Sequence, residues 1–399
     1  MPGRFWSRRR WNEHILTGNK AAAWGVPSCG GCRATAAGSE GDTQTHGHDG
    51  DVDDVGDNQS PVCFVRDTKM AATVKVAVSP AACLSGAVRI RGDGPGNLDF
   101  PATVATVGGG TATITAVVCE SPFPNNVQRY DPLDIRWEVL IEDGGNRPAV
   151  PTRSKNEVFV TLEEPQCATR FRTVLYLATQ NGGTDYDTCL TNTWGMFSTG
   201  AGPANVKAWN PAGKQYDRPL HYYQNHSGDY VYTAAGLLAN GNGQCHSWAE
   251  LFKEALVANG VPNVMRTRVR PPVGFFRLGV KNVAFDYVAP AYPAYHPWQY
   301  GITAYDAEDR EVDDLDVTVA GLAGQNADPP YAKLFSRHFI VHRSGDIDYY
   351  DPSYGVAAAG ADAYTQSAVD AWGAIIGGIE YYRERTTPDA ALRFTDELW

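Results

Sequence analysis

Between Ala71 and Glu164 apolar and polar residues alternate in short runs, a period of two that dictates strands rather than helices. The runs 72–78, 87–91, 111–118, 135–141 and 157–162 all read this way. Turn formers separate them, as in Gly92-Asp93-Gly94-Pro95-Gly96 and Asp143-Gly144-Gly145-Asn146. Strands this short bury their apolar faces only against a second sheet, so an antiparallel β-sandwich is expected over residues 70–165. Trp137 and a Cys83–Cys119 bridge would fit its core. Nothing in this stretch carries chemistry, and a targeting, binding or spacer role is the expectation.

Residues 1–69 have a different character. Residues 40–60 hold seven acids and no Lys or Arg, which reads as a solvated acidic tether, so 1–69 is expected to be disordered. Arg8-Arg9-Arg10 is followed by no apolar segment, and a signal peptide is not supported. Asp49-Gly50-Asp51-Val52-Asp53 fails as a calcium loop, because Asp54 stands where the turn glycine belongs. Cys29 and Cys32 with His46 and His48 lack the usual spacing of a zinc site. The whole chain has 34 Lys+Arg against 45 Asp+Glu, a formal charge of −11. It therefore lacks the broad cationic field that draws proteins to phosphate backbones, and nucleic acid is not expected as a partner. No run of about 18 apolar residues is present, so no transmembrane segment is expected.

Beyond Pro165 the pattern is mixed. Residues 171–178 suit a strand or the start of a helix. A clear amphipathic helix follows, with Cys245, Trp248, Ala249, Leu251, Phe252, Ala255 and Leu256 on one stripe. Asn259-Gly260 and then Pro262 end it. Later, 338–342 and 347–350 read as two strands joined by a turn at Ser344-Gly345-Asp346. Cys245 stands at the helix N-terminus, where the positive end of the dipole favours negative charge on sulfur. Gly241 and Gly243 are expected to let the backbone approach closely and to leave the sulfur accessible. A thiolate nucleophile needs a histidine to protonate the leaving group and a third group to orient it. His338 and Asp351, on neighbouring hairpin strands, supply that pair. The bland alternative makes Cys245 a small buried hydrophobe beside Trp248 and Phe252. His342 is the rival base on the same strand face. His246, about 100° round the helix from Cys245, is expected at the surface.

These residues carry a resemblance. Gly243-Gln244-Cys245-His246-Ser247-Trp248-Ala249 is similar to the nucleophile motif of the transglutaminase-like superfamily, G-x-C-x-x-x-A. His338, followed by Asp351-Pro352-Ser353-x-Gly355, resembles its histidine strand and D-P-[ST] element, and Gly260-Val261-Pro262 its G-[IV]-P segment. The order Cys, His, Asp is that family's. The chain departs from the family at three positions, His246 standing where an aromatic residue is common and Ile340 and His342 replacing the Trp and Glu of H-x-W-x-E. Its His338-to-Asp351 spacing is also slightly shorter than usual. The strand and turn spacing of residues 70–165 makes the sandwich there one of immunoglobulin-like type. The helix followed by a hairpin is an α+β arrangement, and the resemblance implies a papain-like or transglutaminase-like core over residues 166–399. It further implies that Cys245 attacks an amide carbonyl, His338 acts as base and then acid, and Asp351 orients it.

Around that triad the assignments are weaker. The Cys245 N–H is available as an oxyanion donor, with Gln244, Gln224 or Asn225 as side-chain candidates. Ten of the 20 tyrosines lie between 216 and 305. Tyr292, Tyr295 and Trp298, with Trp248, are candidate substrate contacts, against the alternative of a self-packed loop. No metal or cofactor is expected. The expected activity is cysteine-dependent hydrolysis of a peptide or isopeptide bond in a protein or peptide substrate. A glutamine transglutaminase or deamidase would use the same triad, and a degenerate peptide- or glycan-binding protein is the non-catalytic alternative. Cys83–Cys119 and Cys167–Cys189 bridges would place the chain outside a reducing cytosol, whereas the lack of a signal peptide points the other way. Localisation stays open.

Overall fold

The computed structural model describes residues 33–37, 61–79, 87–106, 111–142, 150–166, 171–222, 232–275, 277–280, 283–285, 296–297, 317–320, 323–326, 334–376, 379–384 and 392–397. The protein is mixed α+β, with strands predominating and five α-helices among these residues. The chain divides into two compact units between Thr161 and Leu162.

The first unit is all β. Its strands are β1 (Arg33–Ala37), β2 (Cys63–Val65), β3 (Ala71–Ser79), β4 (Ala87–Asp93), β5 (Phe100–Thr106), β6 (Thr111–Val118), β7 (Gln128–Glu142) and β8 (Val150–Thr161). They form a three-stranded sheet in the order β1-β3-β6 and a five-stranded sheet in the order β2-β8-β7-β4-β5. Residues of both sheets share one apolar core, including Val74, Ile114 and Val117 from the first and Ile90, Phe100, Ile135 and Val139 from the second. Alternation accounts for this, because β4 buries every second residue from Val88 onward. Trp137 is 3% exposed, lies 5.0 Å from the Phe100 ring, and donates its indole N–H to Ser154 Oγ (2.9 Å).

Two expectations need correcting here. β1 and β2 fall within 1–69, so disorder does not hold for residues 33–37 and 63–65. Cys119 is a free thiol: Sγ donates to the Ser121 carbonyl (2.8 Å) and accepts the Met70 N–H (3.1 Å), so no bridge to Cys83 is present. Cys189, on the helix Tyr186–Trp194, is buried and likewise forms no disulfide, so the Cys167–Cys189 bridge does not hold either. Cys83, Cys167, Cys29, Cys32, His46 and His48 lie outside the described residues. β5 escaped the pattern reading because Pro101 and small residues interrupt its apolar periodicity.

The second unit opens with α1 (Arg172–Thr179), α2 (Tyr186–Trp194), β9 (Lys207–Asn210), β10 (Gln215–Pro219), β11 (His221–Tyr222), α3 (Ala234–Asn240) and β12 (Asn242–Gly243). Then come α4 (Cys245–Ala258), β13 (Val264–Arg270), β14 (Arg277–Val280), β15 (Val283–Phe285), β16 (His296–Pro297), β17 (Val317–Ala320), β18 (Leu334–Phe335), β19 (His338–Arg343) and β20 (Asp348–Asp351). The last elements are β21 (Val356–Ala359), α5 (Ala361–Ala368), β22 (Val369–Ile376), β23 (Ile379–Glu384) and β24 (Arg393–Glu397). One five-stranded sheet runs β21-β20-β19-β13-β24 and another β16-β23-β22-β14-β18; β9 pairs with β10, β15 with β17, and β11 with β12 in parallel. The ambiguous stretch 171–178 is therefore helical, as α1, with Val174, Leu175, Leu177 and Ala178 buried.

α4 is the hub of this unit. It packs against α1, α2 and α3 and against β13 and β19. Every residue of its apolar stripe is buried, from Cys245 to Leu256. Each large member stabilises the fold by about 1.5–3 kcal/mol. The C-terminus closes with paired bonds, Gly260 N–H to Val257 O (2.9 Å) and Val261 N–H to Leu256 O (3.1 Å). Asn259 ties this end down, donating from Nδ2 to Ala178 O (2.7 Å) and accepting the Leu162 N–H at Oδ1 (3.3 Å). Among the described residues no helix is long and apolar enough to cross a membrane.

Candidate active site

The start of α4 is set by two glycines with different roles. Gly241 ends α3 in the left-handed conformation (φ 69°), turning the chain into β12. Gly243 is needed for space, since a Cβ there would lie 2.2 Å from Ser247 Oγ. Ser247 in turn donates to the Gln244 carbonyl (2.8 Å), which also accepts the Trp248 N–H (3.2 Å). Cys245 is thereby the first residue of the helix, where N–H groups have no intrahelical partner.

The histidine and the aspartate come from the hairpin β19–β20, whose register pairs Val341 with Tyr350 and His342 with Tyr349. Continuing that register sets Asp351 across from Ile340, diagonal to His338 on the same face, within reach of a long side chain. His338 Nε2 donates to Asp351 Oδ2 at 2.9 Å. His338 is 2% exposed, Asp351 0% and Cys245 1%. The other ring nitrogen, Nδ1, is likewise buried. Burial alone would lower the His338 pKa; Asp351 first and Cys245 next overcome this, and it is pushed up to about 10. The three residues are thus brought together, with the imidazole between sulfur and carboxylate. The sulfur is covered rather than accessible, contrary to expectation.

His342 is engaged elsewhere. Its Nε2–H donates to Asp346 O (2.9 Å), its ring stacks on Tyr349 (4.7 Å), and Nδ1 lies 3.6 Å from Asp396 Oδ2. His246 is not the surface residue expected. Its Nδ1 is 3.9 Å from Cys245 Sγ, and its ring lies 3.6 Å from Phe339 and 4.8 Å from Tyr232. Burial, then Arg266, Arg337, His338 and Arg268, lower its pKa to about 2, so this second imidazole stays neutral. Trp248 is fully buried, packed edge-on to Phe197, and stands in the core rather than at a substrate surface. Gln244 is half-buried and makes no side-chain cap to the helix. Gln224, Asn225, Tyr292, Tyr295 and Trp298 lie outside the described residues.

Two residues of the site went unnoticed in the sequence. Tyr364 of α5 donates its hydroxyl to Asp351 Oδ2 (2.9 Å). Gln325, fully buried, holds the segment that follows Asp351. Its Nε2 donates to Pro352 O (2.9 Å) and Phe197 O (2.7 Å), and Oε1 accepts from Asn205 N (2.8 Å) and Val206 N (3.2 Å). Its backbone N–H donates to Ser353 O (2.9 Å) and its carbonyl accepts the Tyr222 N–H (2.8 Å). Neither residue sits in a local pattern, because both act through partners remote in the chain. Gln325→Ala leaves several buried groups unpaired, each costing about 1–3 kcal/mol. A destabilisation of about 3 kcal/mol or more is expected in urea unfolding, and a change under about 0.5 kcal/mol would refute this role.

Among the described residues no group of His, Cys, Asp or Glu could hold a metal ion. What the arrangement offers is a sulfur at a helix N-terminus, an imidazole of raised pKa beside it and a buried carboxylate behind. No family model matches this chain, and neither a curated protein nor a solved structure does.

Proposed function

We propose that the second unit is a thiol-dependent amide-bond enzyme with a transglutaminase-like, papain-like core, and that the first is an immunoglobulin-like sandwich serving it. The observation that carries this reading is the buried His338–Asp351 bond (2.9 Å), with Cys245 bearing on the same imidazole. A buried charged pair is costly to form, and a purely structural cysteine has no use for one. The Cys245 sulfur attacks the amide carbonyl carbon, and the backbone N–H of Cys245 receives the oxyanion. As the C–N bond breaks, the proton on His338 Nδ1 passes to the leaving nitrogen, which departs as the amine. The acyl group stays on sulfur as a thioester. Acylation ties up the Cys245 sulfur, which stands next after Asp351 among the groups that raise the His338 pKa, so the imidazole becomes a better base in this second state. His338 Nδ1 then takes a proton from water, the hydroxide adds to the thioester, and the C–S bond breaks to release a carboxylic acid.

Hydrolysis of a peptide or isopeptide bond is the leading branch, and transfer to an amine is its competitor. Incubating the protein with a glutamine-containing protein and a labelled primary amine separates them by mass spectrometry. Cleavage products without amine incorporation are expected. Incorporation of the amine would overturn hydrolysis in favour of transfer, and loss of either activity in Cys245→Ala would tie it to this site.

A further inference from the structure

Among the described residues the Asp351 carboxylate has three donors, and only one is His338. The Ser353 N–H donates to Oδ1 (3.1 Å), while the Tyr364 hydroxyl donates to Oδ2 (2.9 Å), the oxygen that also takes the His338 Nε2–H (2.9 Å). Tyr364 reaches it from α5 and is 2% exposed, its ring edge-on to Phe394 (6.1 Å). A phenylalanine would fill the same volume, so the packing does not account for the hydroxyl. Burial first, and Asp351 next, push the Tyr364 pKa well above 10, which keeps it a donor across the working range.

We propose that Tyr364 is a positioning residue of the site: by sharing Oδ2 with His338 it fixes the carboxylate and sets how firmly that oxygen holds the imidazole. The proposal rests on the Cys245–His338–Asp351 reading above. Two donors on one oxygen compete for its charge. With the hydroxyl present, the imidazolium is held less tightly and its Nδ1 proton moves more readily to a leaving nitrogen. Without it, the carboxylate directs more charge to His338 alone. The ionisable groups facing His338 are Asp351 from β20, Tyr354 from the turn that follows it (ring centroids 5.6 Å apart), Cys245 and neutral His246 from α4, and, through Asp351, Tyr364 from α5.

Two substitutions with opposite effects test this in the full-length protein. Tyr364→Phe removes the donor, and 3-fluorotyrosine in place of Tyr364 makes it a stronger one. The readout is the NMR titration midpoint of the His338 ring in ¹⁵N-histidine-labelled protein, followed without substrate. Tyr364→Phe is expected to raise the midpoint by about half a pH unit and fluorotyrosine to lower it. Turnover in Tyr364→Phe falls by about tenfold in kcat with KM unchanged. Midpoints that stay in place, or move in the same direction in both proteins, would overturn the proposal. Because the titration needs no turnover, this result is independent of whether Cys245→Ala abolishes activity.

Discussion

Cys245→Ala is expected to remove the proposed amide-bond cleavage, with a loss in kcat/KM of at least about a thousandfold, while the protein stays folded. The size follows from the chemistry: without sulfur no thioester forms, and only substrate binding and the helix N-terminus remain to assist attack by water. The fold survives because alanine fills most of the space of a small side chain at the first turn of α4, and the remaining stripe from Trp248 to Leu256 is untouched. A peptide bearing an electrophile that reacts with thiols is expected to add once to the native protein, at Cys245, and to abolish turnover with the same time course. Cys119, a free thiol whose pKa burial raises, provides the internal reference. Unchanged activity in Cys245→Ala would sink the enzyme reading and leave the cysteine as a core residue.

Asp351→Asn has the second largest effect. The carboxylate is the first of the groups that raise the His338 pKa against burial, so the imidazole's midpoint falls from about 10 toward or below its ordinary 6.5. The neutral amide also faces two donors, His338 Nε2 and the Tyr364 hydroxyl, with only one oxygen to offer. A loss of about 10²–10⁴ in kcat/KM is expected from the misplaced tautomer. Stability responds with a defined sign. In the native protein the raised His338 pKa contributes stability that is fully present below pH 6.5 and lost as the pH rises toward about 10. Asp351→Asn loses that contribution, so its deficit against the native protein is largest below pH 6.5 and shrinks toward pH 10. Thermal melts across that range, with the His338 titration, measure both. A His338 midpoint that stays near 10 in Asp351→Asn would refute the assignment of Asp351 as its partner.

Much of the local structure was legible because it follows from neighbours in the chain. Period-two runs became β3, β4, β6, β7 and β8, with ends that differ by up to seven residues. The helical stripe from Cys245, with Asn259-Gly260 behind it, became α4 with its paired closing bonds. Ser344-Gly345-Asp346 joins β19 to β20, with Gly345 at φ 98°. β5, broken by Pro101, and the short β2 gave too little periodicity to be seen.

The eight cysteines and the tyrosine-rich composition pointed toward bridges and an aromatic surface, and neither could be resolved by counting. Whether a thiol is paired depends on which strand lies opposite, and Cys119 meets Met70 and Ser121. His246 illustrates the same limit: a helical wheel turns it away from Cys245, yet packing against Phe339 and Tyr232 buries its ring near the sulfur. Residue types and their order along the chain were enough to nominate Cys245, His338 and Asp351, because nucleophile, base and orienting acid need particular functional groups on elements that local periodicity can identify. The choice of His338 over His342, the burial of Trp248, and the parts of Gln325 and Tyr364 depend on contacts between segments far apart in the chain. Hydrogen-bond geometry is decided over a few tenths of an ångström, and only the packing of α4, α5 and the β19–β20 hairpin sets distances that fine.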